Sequence, residues 1–398
     1  MELRRALEGL RSPRTRVRLA ALVAWSLAVA YLALASAHPS GTPSGGHTDH
    51  VAHIGEVRIL PRVGLDIWTV PLGDLFPTMK KEDHAGLPPD MRAYAEQFPG
   101  DVLSVPGFPA DRPLVTNYTH LPRCYPPGVF LFASPSAFLH SAGALGFAQA
   151  NRLFLAILMS TWLGFVFACT SSWREVKVSL GRELGLVAAS AYLAYWSIEG
   201  MYDVIAIAAA AYGIEYTRRE EHGKSALAWG VATLVHSRLL ALGPLFAYAA
   251  FRGVKAWPRS TRAERAQLVG GGALYAGALA FAALIQPTVA RNAAVQPHRI
   301  NLFHPLHGPV WSDALYGVIV TGAAIALWRR GHRWDGALVG FAAVAFATQR
   351  YLTPWYWLLV LPWALGPARE QVSSPRVRAI AQIALTVLFF VGSVASSR

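Results

Sequence analysis

Residues 153–173 read LFLAILMSTWLGFVFACTSSW, and this stretch decides the fold. It contains no Lys, Arg, Asp or Glu. Apolar runs of about 18 residues or more cross bilayers as helices, because inside lipid a helix alone satisfies every backbone N–H and C=O within one segment. Residues 268–285, LVGGGALYAGALAFAALI, repeat the pattern. The whole chain follows suit. Of its 398 residues 54% are hydrophobic and 15% are charged, against roughly 25% charged in soluble domains. About eleven such runs can be marked out. The expected fold is therefore all-α, a polytopic transmembrane helical bundle forming one integral membrane domain over residues 1–398.

The net charge is +13. In a soluble protein that excess would point to nucleic acid. Here the basic residues sit in short segments between apolar runs, which is the positive-inside pattern, so nucleic acid is not an expected partner and the lipid bilayer is. Arg4, Arg5, Arg11, Arg14, Arg16 and Arg18 place residues 1–18 in the cytoplasm. The apolar run 19–37 then exits as an uncleaved anchor. Residues 38–126 form a long extracytoplasmic loop. Its Pro and Gly residues break long helices, and Leu65, Ile67, Trp68, Leu72, Leu75 and Phe76 suit short surface helices.

Residues 127–398 hold the remaining spans. Further basic clusters at 218–224, 252–265, 329–333 and 369–378 alternate with apolar runs at 202–217, 225–251 (a tight hairpin), 266–288, 310–328, 335–349, 352–366 and 379–396. Arg174, Lys177 and Arg182 are cytoplasmic by the same rule. The segment 127–182 must then cross once, with 129–139 a half-span or surface helix interrupted at Pro135 and 150–170 the full crossing. The frame leaves residues 199–203, the hairpin tip near Arg238, the loop 289–309, residues 350–354 and the C-terminus outside. The two cysteines, Cys124 and Cys169, have neither disulfide-framework nor metal-site spacing. The wealth of Ala, Arg, Gly and Trp points to a GC-rich bacterial genome, and for a polytopic chain the expected location is then the bacterial plasma (inner) membrane.

Charged groups within or beside spans are costly in lipid and are candidates for function. Arg238 lies in an apolar run with His236 close by. Asp203 follows Glu199 at the mouth of an Ala-rich span, and Arg350 precedes Tyr351. The plain alternative for each is a side chain snorkelling from a helix end. The first loop opens with His47, Asp49, His50 and His53, a helical spacing that suits a divalent metal or, for Asp49, a general base held near the membrane surface. Its plain alternative is an ordinary polar loop.

These features come in a particular order. A basic N-terminus and one span lead to a long outer loop opening at Asp49. Tyr125-Pro126-Pro127-Gly128 then leads into the next span. Glu199-Gly200-Met201-Tyr202-Asp203 stands at the mouth of a small-residue helix, Arg238 precedes Pro244, and Arg350-Tyr351 precedes Pro354-Trp355-Tyr356. The layout resembles the GT-C superfamily of membrane glycosyltransferases, in particular the bacterial mannosyltransferase-like branches. The resemblance implies a polyprenyl-phosphate sugar as donor, a lipid or glycan acceptor on the outer side, and inversion at the sugar. It implies Asp49 as the catalytic base, Asp203 in the same cavity, and Arg238 and Arg350 at the donor phosphate. Glu199, His236, Tyr351 and Tyr125 join these as substrate- and donor-binding candidates. The family often pairs acidic residues in the first loop, whereas histidines flank Asp49 here. Asp66, in Gly64-Leu65-Asp66-Ile67-Trp68, is thus an alternative base, and a divalent metal remains an open cofactor. No Gly-rich nucleotide loop is visible, which fits a lipid donor better than a nucleotide sugar. A polytopic transporter and a non-catalytic lipid-handling protein are the rival readings.

The topology predicts that externally added thiol reagent labels a cysteine placed at Ser104 and leaves one at Ser260 unlabelled. The reverse pattern would invert the whole frame.

Overall fold

The computed structural model describes residues 12–34, 49–70, 126–174, 178, 180–236, 239 and 243–295. The apolar runs expected at 310–328, 335–349, 352–366 and 379–396, and the loop beyond residue 70, lie outside the described residues. Every regular element among the described residues is helical. They are α1 Pro13–Leu34, α2 Asp49–Val63, α3 Asp66–Thr69, α4 Pro127–Ser141, α5 Phe147–Cys169, α6 Leu180–Ile198, α7 Asp203–Arg218, α8 His222–Val235, α9 Gly243–Ala256 and α10 Arg262–Val295, with short 3-10 turns after α5 and α9. Among the described residues three helices are long and apolar enough to cross a membrane: α1, α5 and the Arg262–Ile285 part of α10. On α1 one narrow face is buried, through Val17, Ala21 and Leu32, while Leu19, Val23, Leu27, Tyr31 and Leu34 are exposed. Such a helix suits a setting in which lipid covers the remaining face.

Basic side chains gather three helix ends. Arg16 makes a two-toothed contact with Glu183 of α6, Nε to Oε1 at 3.0 Å and Nη2 to Oε2 at 2.8 Å. Arg18 donates to Thr170 Oγ1 (2.7 Å) and to the Phe167 carbonyl (2.9 Å), with its guanidinium over the Phe167 ring. The carbonyls at a helix C-terminus lack intrahelical donors, so Arg18 caps α5. The start of α1, the end of α5 and the start of α6 thus share one end of the bundle, here called the arginine end.

The segment before α5 departs from expectation at one point. A break was expected at Pro135, yet α4 runs through it for 15 residues. Pro135 lies on the exposed face with Leu131 and Phe138. Helices in membranes tolerate such a proline where the chain adjusts locally; Ser134 Oγ binds the Phe130 carbonyl at 2.6 Å. At a rise of about 1.5 Å per residue α4 spans about 22 Å, short of the roughly 30 Å hydrocarbon core. The full-length helix of this segment is α5.

The remaining helices pack through small residues. The α6–α7 turn closes with Gly200 at φ 89°, Met201 N–H on the Trp196 carbonyl (2.9 Å) and Gly200 N–H on that of Ser197 (3.2 Å). This is a Schellman cap, which needs a left-handed residue. α7 and α8 form an antiparallel hairpin. Thr217 Oγ1 and Ser225 Oγ are 2.6 Å apart, both bind the Gly213 carbonyl, and Gly213 lies against the Trp229 ring. α8 then runs parallel to α10. A Cβ on Gly223 would lie 2.7 Å from the Glu264 carbonyl oxygen, one on Gly230 2.7 Å from that of Gly271, and one on Gly271 2.6 Å from Leu227 N. Backbones approach this closely only where side chains are absent, the packing mode of small residues in membrane helices.

Gly271→Ala is expected to destabilise the detergent-solubilised protein by about 1–3 kcal/mol, the usual range for overpacking. Nothing lies within 4 Å of a Cβ at Gly272, so Gly272→Ala should be neutral or stabilising by up to about 1 kcal/mol through helix propensity. Thermal unfolding of the two variants side by side checks the contrast.

Candidate functional site

At the end opposite the arginines, α7 begins and α8 finishes. Asp203 opens α7, where the helix dipole favours a carboxylate. His236 follows the last residue of α8. The antiparallel register that pairs Thr217 with Ser225 brings these ends together, and His236 Nε2 stands 3.0 Å from Asp203 Oδ1. Side-chain exposure is 6% and 4%. The two atoms are at ion-pair distance without hydrogen-bond alignment. Glu199, in the preceding turn, is also buried.

A second acid–histidine pair comes from the first loop. In α2, His53 Nδ1 lies 3.1 Å from Glu56 Oε2, and both side chains are fully buried. Tyr202 stands between the two pairs. Its ring meets His53 edge-on at 5.3 Å between centroids and lies nearly parallel to His236 at 6.5 Å. The contacts continue through Phe130 of α4, 6.3 Å from His53, to Trp68 of α3, stacked on Phe130 at 5.6 Å and edge-on to Phe281 of α10 at 5.5 Å. A ribbon of rings thus ties the first-loop helices to α4, α7, α8 and α10. Gly128 makes it close. A Cβ there would lie 2.6 Å from the Leu234 carbonyl oxygen, so the glycine of Pro126-Pro127-Gly128 lets the start of α4 touch the end of α8.

The sequence candidates fall into three groups. Asp203, His236 and Glu199 are brought to one buried region. Asp49 heads α2 and shares a stripe of that helix with His53 and Glu56, at spacings of four and seven residues. Asp66 opens α3 and is exposed, while its neighbours Ile67 and Trp68 are buried. Arg238, Arg350, Tyr351 and Tyr125 lie outside the described residues.

Glu56 and Tyr202 were not singled out from sequence. The signal for Glu56 was its place on the Asp49–His53 stripe; Tyr202 had none beyond preceding Asp203. A divalent metal is not supported among the described residues, where no three His, Cys, Asp or Glu side chains come together as ligands. His53 already faces Glu56, and His47 lies outside the described residues.

Removing one member of a buried polar pair leaves the other desolvated, at a cost of about 1–3 kcal/mol. His236→Ala and Asp203→Ala should each lower stability by that order. The double variant should lose less than their sum, by about 0.5–3 kcal/mol, as expected for residues in contact. Additive losses in a double-mutant cycle would show that the pair is not coupled.

Compared with protein-family models, with curated proteins and with solved structures, the chain matches none.

Proposed function

We propose that this protein is a membrane glycosyltransferase of the GT-C type, transferring a sugar from a polyprenyl-phosphate donor to a lipid or glycan acceptor on the extracytoplasmic side of a bacterial plasma membrane. One observation carries the proposal. Helix α2 of the first loop, headed by Asp49, docks beside the Asp203–His236 pair, although Asp203 lies 154 positions beyond Asp49 in the sequence. The layout that suggested the family requires this meeting of first loop and bundle at the end away from the basic segments.

In the proposed reaction Asp49 takes the proton of the acceptor hydroxyl as its oxygen forms a bond to the anomeric carbon. The bond from that carbon to the phosphate oxygen breaks, and its electron pair leaves with polyprenyl phosphate. A single displacement of this kind inverts the anomeric centre. Asp66 is the alternative base. The donor is already activated, so a base, a leaving-group clamp and orientation suffice. Arg238 lies two residues beyond His236, and Arg238 and Arg350 are assigned to the phosphate, which Arg can grip through two parallel hydrogen bonds. Asp203 and His236 position the α7–α8 rim against α2.

A second reading has its own support. Two buried acid–histidine pairs separated by one tyrosine also suit a proton or ion path in a transporter. Activity separates the two.

In an assay of radiolabelled sugar transfer from purified lipid donor to membrane acceptors, Asp49→Asn should lower the rate by about 10²–10⁴, as general-base removal does. Donor binding should stay near normal. Arg238→Ala should weaken donor capture as well, because its phosphate contact precedes reaction. Full activity in Asp49→Asn would move the base to Asp66 or Asp203. Transfer from nucleotide sugar and none from lipid donor would remove the GT-C reading, and proton-coupled flux without transfer would favour the transporter.

A further inference from the structure

A cavity at the arginine end plays no part in the proposed chemistry. It has a volume of about 70 Å³, with Glu220, His222, Trp257, Ser260, Glu264 and Arg265 among its lining residues. By their share of liquid volume this is room for about two water molecules, or for one tetrahedral oxyanion. The Arg265 guanidinium lies over the Trp257 ring, 5.4 Å from its centroid. An arginine stacked in this way keeps its in-plane N–H groups available for a phosphate fork. Arg265 Nε and His222 Nδ1 are buried atoms with no hydrogen-bond partner. Each such atom asks for an explanation, and these two share the lining of a cavity of oxyanion size.

Two carboxylates also line the cavity, and each is engaged. Glu264 Oε2 accepts from Thr261 N–H (2.8 Å) and Thr261 Oγ1 (3.0 Å), completing the N-terminal cap of α10. Glu220 lies 3.6 Å from Arg252. Arg259 and Arg262 add positive charge on the same turn. The surroundings are those of a membrane interface. Trp257, which lines the cavity, is exposed, as are Phe251 and Val254 of α9 and Val269 of α10 on the helices that form it, and α10 carries no charge from Leu268 to Ala290. A phosphate seated here would have apolar surface beside it for acyl chains, which favours a lipid over a soluble ion.

We propose that this cavity binds the phosphodiester headgroup of a phospholipid in the leaflet at the arginine end, held by Arg265 and His222. The site is independent of the glycosyltransferase reading.

The test uses the full chain, delipidated in dodecyl maltoside and titrated with dioleoyl phosphatidylglycerol while thermal unfolding is followed. A ligand that binds only the folded state raises Tm with the logarithm of its concentration once that exceeds Kd. Dioleoylglycerol, which lacks the phosphate, should give no such rise, and neither should inorganic phosphate. Arg265→Gln and His222→Phe should each weaken the apparent affinity about tenfold, the loss expected for one charge-assisted hydrogen bond. Lys255→Gln, outside the cavity lining, should leave it unchanged. An equal rise with dioleoylglycerol overturns the proposal, as does undiminished affinity in both cavity variants. Equal weakening by Lys255→Gln would mean a diffuse basic surface and overturn it too. A rise with inorganic phosphate alone would assign the cavity to a soluble oxyanion and overturn the lipid assignment. If Arg265→Gln does not fold, His222→Phe decides the matter.

Discussion

The close approach of α8 to α10 is the constraint on which the described bundle depends. At Gly223, Gly230 and Gly271 the two backbones are so near that a Cβ would meet a carbonyl oxygen or an amide nitrogen of the partner. In lipid no hydrophobic effect drives helices together, so contact area and close packing must do so. The glycine seam sets where α8 lies, and α8 sets much of the rest. Its near end pairs with α7 through Thr217, Ser225 and Gly213, and its far end carries His236 to Asp203. The same far end receives Gly128 and so seats α4, against which Phe130 and Trp68 stack.

The polar residues at that far end are stable only because they meet one another. A buried acid or imidazole costs several kcal/mol of desolvation when it stands alone, and this one small region holds His53, Glu56, Glu199, Asp203 and His236, all buried. Pairing offsets much of that cost without making the cluster a net source of stability, since apolar residues of the same volume would often serve as well. Retaining five ionisable side chains where lipid-compatible packing favours none is a reason to connect them with chemistry. The Tyr202 ring between the two histidines makes the first loop and the bundle rim one packed unit.

The two ends of the bundle divide the work in electrostatic terms. The arginine end is held by charge at its surface, through Arg16 on Glu183 and Arg18 on the last turn of α5, and its cavity offers unused donors where phospholipid headgroups would stand. The far end is held by buried pairs and rings. A donor with a lipid tail and a charged head needs both features in one protein, an apolar flank and a polar region at the membrane surface. Under the proposed function that polar region is the far end.

The composition alone determined the class of this molecule. Whether a segment can cross lipid depends on its own length and charge, which are local properties, so residues 153–173 and 268–285 announce α5 and α10 directly. The basic clusters likewise marked the end that Arg16, Arg18 and Glu183 share. Local rules failed at Pro135, where the cost of a proline depends on which face it occupies, and that is known only once α4 is packed. Asp203 and His236 were candidates because charge beside an apolar run is visible in the chain. Their pairing was not, because it rests on the α7–α8 register. Glu56 and Tyr202 were hidden for the same reason: α2 reads as a polar loop segment until it is seated on α4, and burial turns its His53–Glu56 spacing into a pair. Sequence determined which of the described helices are long and apolar enough to cross a membrane; tertiary packing decided which polar residues had to find each other, since that need arises only once water has been excluded.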